Sequence, residues 1–136
     1  LSSRHFFLPG AEELLSALHG RYTLCLASNG TGWVQEGRLK NSGILPLLDR
    51  VFISEYLGAN KPQLGFFDAC FASLPGVKRS ESLMLGDSLT SDMLGGKIAG
   101  MHTCWYNPNR LPLPTDGTVE YQIHRLPDLL PLLEKL

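Results

Sequence analysis

Several things are scarce in this sequence, and each shortage narrows what the chain can be. Charged residues make up 18% of the 136 positions and nearly cancel, with 12 Lys plus Arg against 13 Asp plus Glu and a formal charge of −1. No run of Lys or Arg breaks that balance, so the electrostatic footprint of a protein that binds nucleic acid or an anionic membrane is missing. No apolar stretch reaches the ~18 residues a spanning helix needs. The opening LSSRHFFLPGAEELL lacks the basic region, apolar core and small-residue cleavage site of a signal peptide, so the expected location is cytoplasmic. Cysteine is sparse: Cys25, Cys70 and Cys104 are an odd set with long gaps and apolar neighbours. They read as buried, reduced thiols, not as disulfides or a zinc knuckle. His5, His19, His102 and His124 share no ligand spacing and read as surface or strand-edge residues.

Hydrophobic residues, at 43%, suffice for one core, and no shift in composition marks a linker, so a single domain is expected. Pro9-Gly10 opens a helical pattern in AEELLSALHG, with Leu14, Leu15 and Leu18 on one face. YTLCLA (22–27) reads as a buried strand running into SNGTG; a helix is expected from Trp33 to Ser42 and a second strand at VFIS (51–54). Phe66, Phe67, Cys70, Phe71 and Leu74 recur at helical spacing behind Pro62. SLMLG (82–86) and HTCWYN (102–107) are further strands around a helix in SDMLGGKIAG. VEYQI reads as a short last strand, and LPDLLPLLEKL as a terminal helix that Pro131 shortens or bends. Strands apolar throughout and alternating with helices indicate an open parallel sheet covered on both faces, a Rossmann-like α/β fold. Ligands bind beyond the carboxyl ends of such strands.

Three of those ends carry polar groups. The first runs into Ser28-Asn29-Gly30, a hydroxyl and consecutive backbone N–H groups suited to an anion, although SNG alone reads first as an ordinary N-cap and turn. The second leads to Lys61, which in isolation reads as a solvated surface residue. The third ends in Gly86-Asp87, with Asp92 in the next turn; the pair could converge on a divalent cation, or serve only a turn and a helix dipole. Together they supply donors for phosphoryl oxygens, a cation to offset charge, and carboxylates for a metal, so a small phosphorylated metabolite is the expected ligand.

In these segments the chain resembles the haloacid dehalogenase (HAD) superfamily: LASNG resembles its second motif, NKPQLGFF its third and MLGDSLTSD its fourth. ISEYLGANKP and GGKIAGMHTCWYN resemble the nucleotidase-like and phosphoglycolate-phosphatase-like branch. The resemblance implies a Mg²⁺-dependent phosphomonoesterase acting through an aspartyl-phosphate. By carry-over, Ser28 and the amides of Asn29 and Gly30 would bind the phosphate. Lys61 would neutralise the transferring group, Asp87 would ligate Mg²⁺ and Asp92 would act on the metal's water. A metal-independent dehalogenase shares SNG, the lysine and TCW, but the G-D-x-x-x-x-D pattern at Gly86, Asp87 and Asp92 resembles the metal-binding phosphatases. A receiver-like domain phosphorylated at Asp87 is disfavoured, because SNG would have no role in it.

The family's first motif, D-x-D-x-T/V, supplies the nucleophile, and nothing here resembles it. Asp49, Asp68, Asp116 and Asp128 lie after loops, in a helix or in terminal segments. The expectation is the C-terminal part of a HAD-like core over 1–136, without the cap and without the central strand. That strand belongs between those ending at Ala27 and Gly86, so its loss would split the sheet into two pairs with open inner edges. Either an N-terminal segment of the same protein takes its place as a separate polypeptide, or the two halves close up, or strands are exchanged with a second copy; the chain alone would be inactive, and the competing reading is a noncatalytic phosphate-binding fragment. Trp33 could stack on a substrate base, whereas Trp105 belongs to the core and Tyr106 to the rim.

Overall fold

A computed structural model describes residues 11–32, 37, 40 and 43–136. His5, Pro9-Gly10, Trp33 and the helix expected from Trp33 to Ser42 lie outside the described residues, apart from the isolated positions 37 and 40. Among those described, the strands are β1 (Cys25–Ser28), β2 (Arg50–Ile53), β3 (Leu83–Gly86), β4 (His102–Tyr106) and β5 (Tyr121–Ile123). The helices are α1 (Ala11–Leu18), α2 (Ser54–Leu57), α3 (Leu64–Ala72), α4 (Leu94–Ile98) and α5 (Leu129–Glu134).

Local sequence accounts for most of these elements. Leu14 and Leu18, one turn apart, are the buried face of α1, and Glu12 and Glu13 occupy its first turn, where the helix dipole favours negative charge. In α3 the residues Phe66, Phe67 and Cys70 are buried, the two rings meeting edge to face at 5.3 Å. The expected terminal helix is shortened: Leu126–Asp128 is a 3-10 turn, and Pro131 falls in the first turn of α5, where a missing N–H breaks no helical bond.

Among the described residues all pairings are parallel, and they fall into two sheets. β1 pairs with β2 and, separately, β3, β4 and β5 lie in that order. The expected split is present among the described residues, but as a pair and a triplet, since Tyr121–Ile123 adds a strand beside β4. The β1–β2 register is pinned at its start, where the Leu24 N–H donates to Asp49 Oδ2 at 2.7 Å and the Asp49 N–H to the Leu24 carbonyl at 2.7 Å. This use of Leu24 explains why β1 begins at Cys25 and not at Tyr22.

Apolar side chains, not a ladder, join the sheets. Along β3, Leu83 and Leu85 pack with Leu14 and Leu18 of α1, Leu24, Cys104, Leu126 and Leu129. Met84 packs with Phe52 of β2 and with Phe66, Phe67 and Cys70 of α3. Successive strand residues point to opposite faces, so α1 and α5 cover one face and α3 the other. The second cluster contains residues from both sheets, and in the first Leu24, just before β1, packs with residues of β3 and β4, which holds the two halves together with no strand between them among the described residues.

Two of the three cysteines are buried, and loss of hydration pushes both thiols, Cys70 and Cys104, up to about 12. Cys25 departs from expectation and is exposed. It opens a strand that has no neighbour on its second edge among the described residues.

His102, the first residue of β4, joins three segments: one ring nitrogen meets Glu120 at 2.8 Å and the other meets the Ser80 carbonyl at 2.9 Å. The bond to the Glu120 carboxylate raises its pKa above the ordinary 6.5. A raised histidine pKa contributes stability that is fully present below the unfolded value and is lost as pH rises through the folded value. Urea unfolding of wild type and Glu120→Gln should therefore differ most below the ordinary 6.5 and converge as pH rises through the raised folded-state value. Both side chains are over two-fifths exposed, so screening keeps the gap small. A gap independent of pH would contradict the assignment.

Candidate active site

The carboxyl ends of β1 and β3 meet through Lys61. Its ammonium donates to the Ala27 carbonyl at 2.8 Å and to Asp92 Oδ1 at 2.6 Å. Both charged side chains are almost out of water, at 9% and 7% exposure. Desolvating such a pair costs several kcal/mol per ion, so a buried ion pair is weak evidence of a stabilising device and better evidence of a site. Lys61 is therefore not the solvated surface residue that it reads as in isolation.

Asp92 is held tightly. It lies in a π-helical turn, Leu89–Met93, which precedes α4 and starts earlier than the SDMLGG pattern suggests. Such turns often accompany functional sites. Ser88 caps the turn by accepting from the Ser91 N–H at 3.1 Å, and its own N–H donates to Asp92 Oδ2 at 3.2 Å. Gly86 lies directly against the Asp92 side chain, leaving no room for a β-carbon. Asp87 follows Gly86 at the end of β3; its backbone carbonyl accepts from Trp105 Nε1 at 3.1 Å. Trp105 is thus a core residue, as expected, that also fixes the chain at Asp87.

Ser28 ends β1 and is buried; among the described residues its hydroxyl makes only a long contact of 3.4 Å with the Asn29 carbonyl. The following turn is held from behind by α2. Ser54 Oγ accepts from the Gly30 N–H at 2.9 Å and donates to the Gly30 carbonyl at 3.3 Å, and the Gly32 N–H donates to Glu55 Oε1 at 2.8 Å. Of the donors expected for an anion, the Gly30 amide already has an acceptor here. Sequence reasoning missed Ser54 and Glu55; their one local signal is a hydroxyl and a carboxylate immediately after a strand. Beside this turn is an open hollow of about 430 Å³ lined by Gly30, Ser54, Glu55, Asn60 and Gln63 among others.

As a metal site, the arrangement supplies two carboxylates. Both Asp92 oxygens already accept from protein donors, so a contact of Asp92 with a metal would run through water. Among the described residues no three His, Cys, Asp or Glu cluster as a complete metal cage. Mg²⁺ does not require one: it commonly takes one or two carboxylates and completes its shell with waters and phosphate oxygens.

Comparison with known proteins accords with this geometry. The model of the haloacid dehalogenase-like hydrolase family matches residues 4–106, a span that contains Ser28, Lys61, Asp87 and Asp92. Pyrimidine 5'-nucleotidase PynA of Streptococcus pneumoniae is 42% identical over 129 residues, covering 94% of this chain and 54% of that protein. Pyrimidine 5'-nucleotidase YjjG of Escherichia coli is 36% identical over 128 residues, covering 94% and 57%. The solved structure of the HAD-hydrolase YfnB of Bacillus subtilis, bound to magnesium, superposes with a TM-score of 0.90 at 36% identity, covering 93% of this chain and 55% of that one. The chain spans about half the length of the curated relatives it matches. With the strand ends, their contacts and the matched span in agreement, this chain belongs to the haloacid dehalogenase-like hydrolase family.

Proposed function

We propose that the protein containing this chain is a Mg²⁺-dependent phosphomonoester hydrolase acting on nucleoside monophosphates. The observation that carries the reading is the buried Lys61–Asp92 pair, joined to the end of β1 through the Ala27 carbonyl and packed against Gly86 at the end of β3. Nucleotidase names among the relatives support the substrate class.

In this reading the Ser28 hydroxyl and the Asn29 N–H donate to phosphoryl oxygens, and the Lys61 ammonium offsets charge as it moves onto the transferred group. Asp92 holds that ammonium in place. Asp87 and Asp92 would hold Mg²⁺, which when bound supplies Lewis-acid stabilisation of phosphoryl charge.

The nucleophile is an aspartate outside this chain. Its carboxylate oxygen attacks phosphorus, the P–O bond to the substrate alcohol breaks, and the alcohol leaves with a proton from a general acid that is also outside the chain. Water then attacks the aspartyl-phosphate, releasing inorganic phosphate and regenerating the carboxylate. The chain is the C-terminal portion of the catalytic core. The nucleophile arrives on a strand seated between β1 and β3, whose facing edges have no strand partner among the described residues. An N-terminal segment of the same protein, or a second copy exchanging strands, is the source.

Phosphate release from uridine monophosphate tests the proposal. The full-length product of the gene should be active with Mg²⁺ and lose activity on chelation, whereas the 136-residue chain alone should release none. Robust turnover by the isolated chain, or none by the full-length product, would count against it.

A further inference from the structure

Asn29 does something that a phosphate ligand would not. Its side-chain amide grips the main chain of Lys61 at two points: Oδ1 accepts from the Lys61 N–H at 2.9 Å, and Nδ2 donates to the Lys61 carbonyl at 3.1 Å. The Lys61 ammonium in turn donates to the Ala27 carbonyl. Residues 27 and 29 therefore hold both ends of Lys61, the peptide unit and the charged tip, although 32 positions separate Asn29 from Lys61. An amide is the side chain of this length that offers one donor and one acceptor together, and both are used on the same residue.

We infer that the Asn29 side chain is a positioning residue for Lys61, locking the turn after β1 and the Lys61 loop into one unit that sets where the ammonium meets the transferring phosphoryl group. This rests on the phosphatase reading and adds to it a residue that works through another. Ser54 completes the unit from the other side by fixing Gly30. Removing the amide leaves Lys61 in the chain but frees its backbone, and small misplacements of an electrostatic group are costly to catalysis.

A double-mutant cycle in the full-length product separates this role from direct ligation. With wild-type Lys61, Asn29→Ala should lower kcat/KM for uridine monophosphate by about 10- to 100-fold. With Lys61→Met already present, adding Asn29→Ala should change it by no more than about twofold, because nothing remains to be positioned. The same cycle read as the dissociation constant of inorganic phosphate, by calorimetry, covers variants too slow to assay. Asn29→Asp, which keeps the acceptor and loses the donor, should fall between wild type and Asn29→Ala, with thermal melting confirming that each variant is folded. Equal losses in both backgrounds, or no loss with wild-type Lys61, would overturn the positioning role while leaving the phosphatase reading intact. A wild type that neither turns over the nucleotide nor binds phosphate would sink both.

Discussion

Replacing Lys61 by Met in the full-length protein should lower kcat/KM on the order of 10²–10³-fold, the range for removing one preorganised electrostatic donor. It should also destabilise the fold by about 3–5 kcal/mol, because Asp92 would be left as a buried charge without its cation. The two losses have different remedies. In the double variant Lys61→Met, Asp92→Leu, the uncompensated charge is gone and apolar volume fills the space, so most of the stability should return. Activity should not. Denaturant unfolding and steady-state kinetics on the same preparations check both halves. If the single variant unfolds like wild type, the pair is not the desolvated interaction its 9% and 7% exposures indicate.

The second large effect concerns a residue with no side chain. A β-carbon at Gly86 would lie 2.6 Å from the Asp92 β-carbon and would overlap the Asp92 carboxylate. Gly86 is at the end of β3, where backbone and Asp92 are both fixed, so Gly86→Ala must displace the acid and break its bond to Lys61. The expected result is a kcat/KM loss of about 10²-fold with about 1–3 kcal/mol of destabilisation. Because the damage passes through the Asp92 side chain, β-carbon included, adding Gly86→Ala to Asp92→Gly should cost little more than Asp92→Gly alone. Full additivity would show that Gly86 matters for some other reason.

Much of this arrangement was legible in the residues themselves. Apolar runs bounded by turn residues located all five strands, and helical spacing located Phe66, Phe67 and Cys70, because these signals are local. The split sheet was legible from one missing motif. The clamp of Asn29 on Lys61 and the grip of Ser54 on Gly30 were not, since each joins positions far apart in sequence whose types also suit ordinary turns. The π turn carrying Asp92 escaped for a related reason: its extra residue answers to the capping of Ser88 and the packing of Asp92 on Gly86, not to periodicity. Cys25 was misjudged because an apolar run predicts burial along its whole length, whereas the first position of β1 is exposed and burial is complete only at Ser28.

A crystal structure of the full-length protein with Mg²⁺ and inorganic phosphate measures the central claim directly. The account predicts phosphate within hydrogen-bonding distance of Ser28 Oγ and Lys61 Nζ, with the metal between that phosphate and Asp87. Phosphate bound elsewhere, with Lys61 and Asp92 paired and out of its reach, would contradict it.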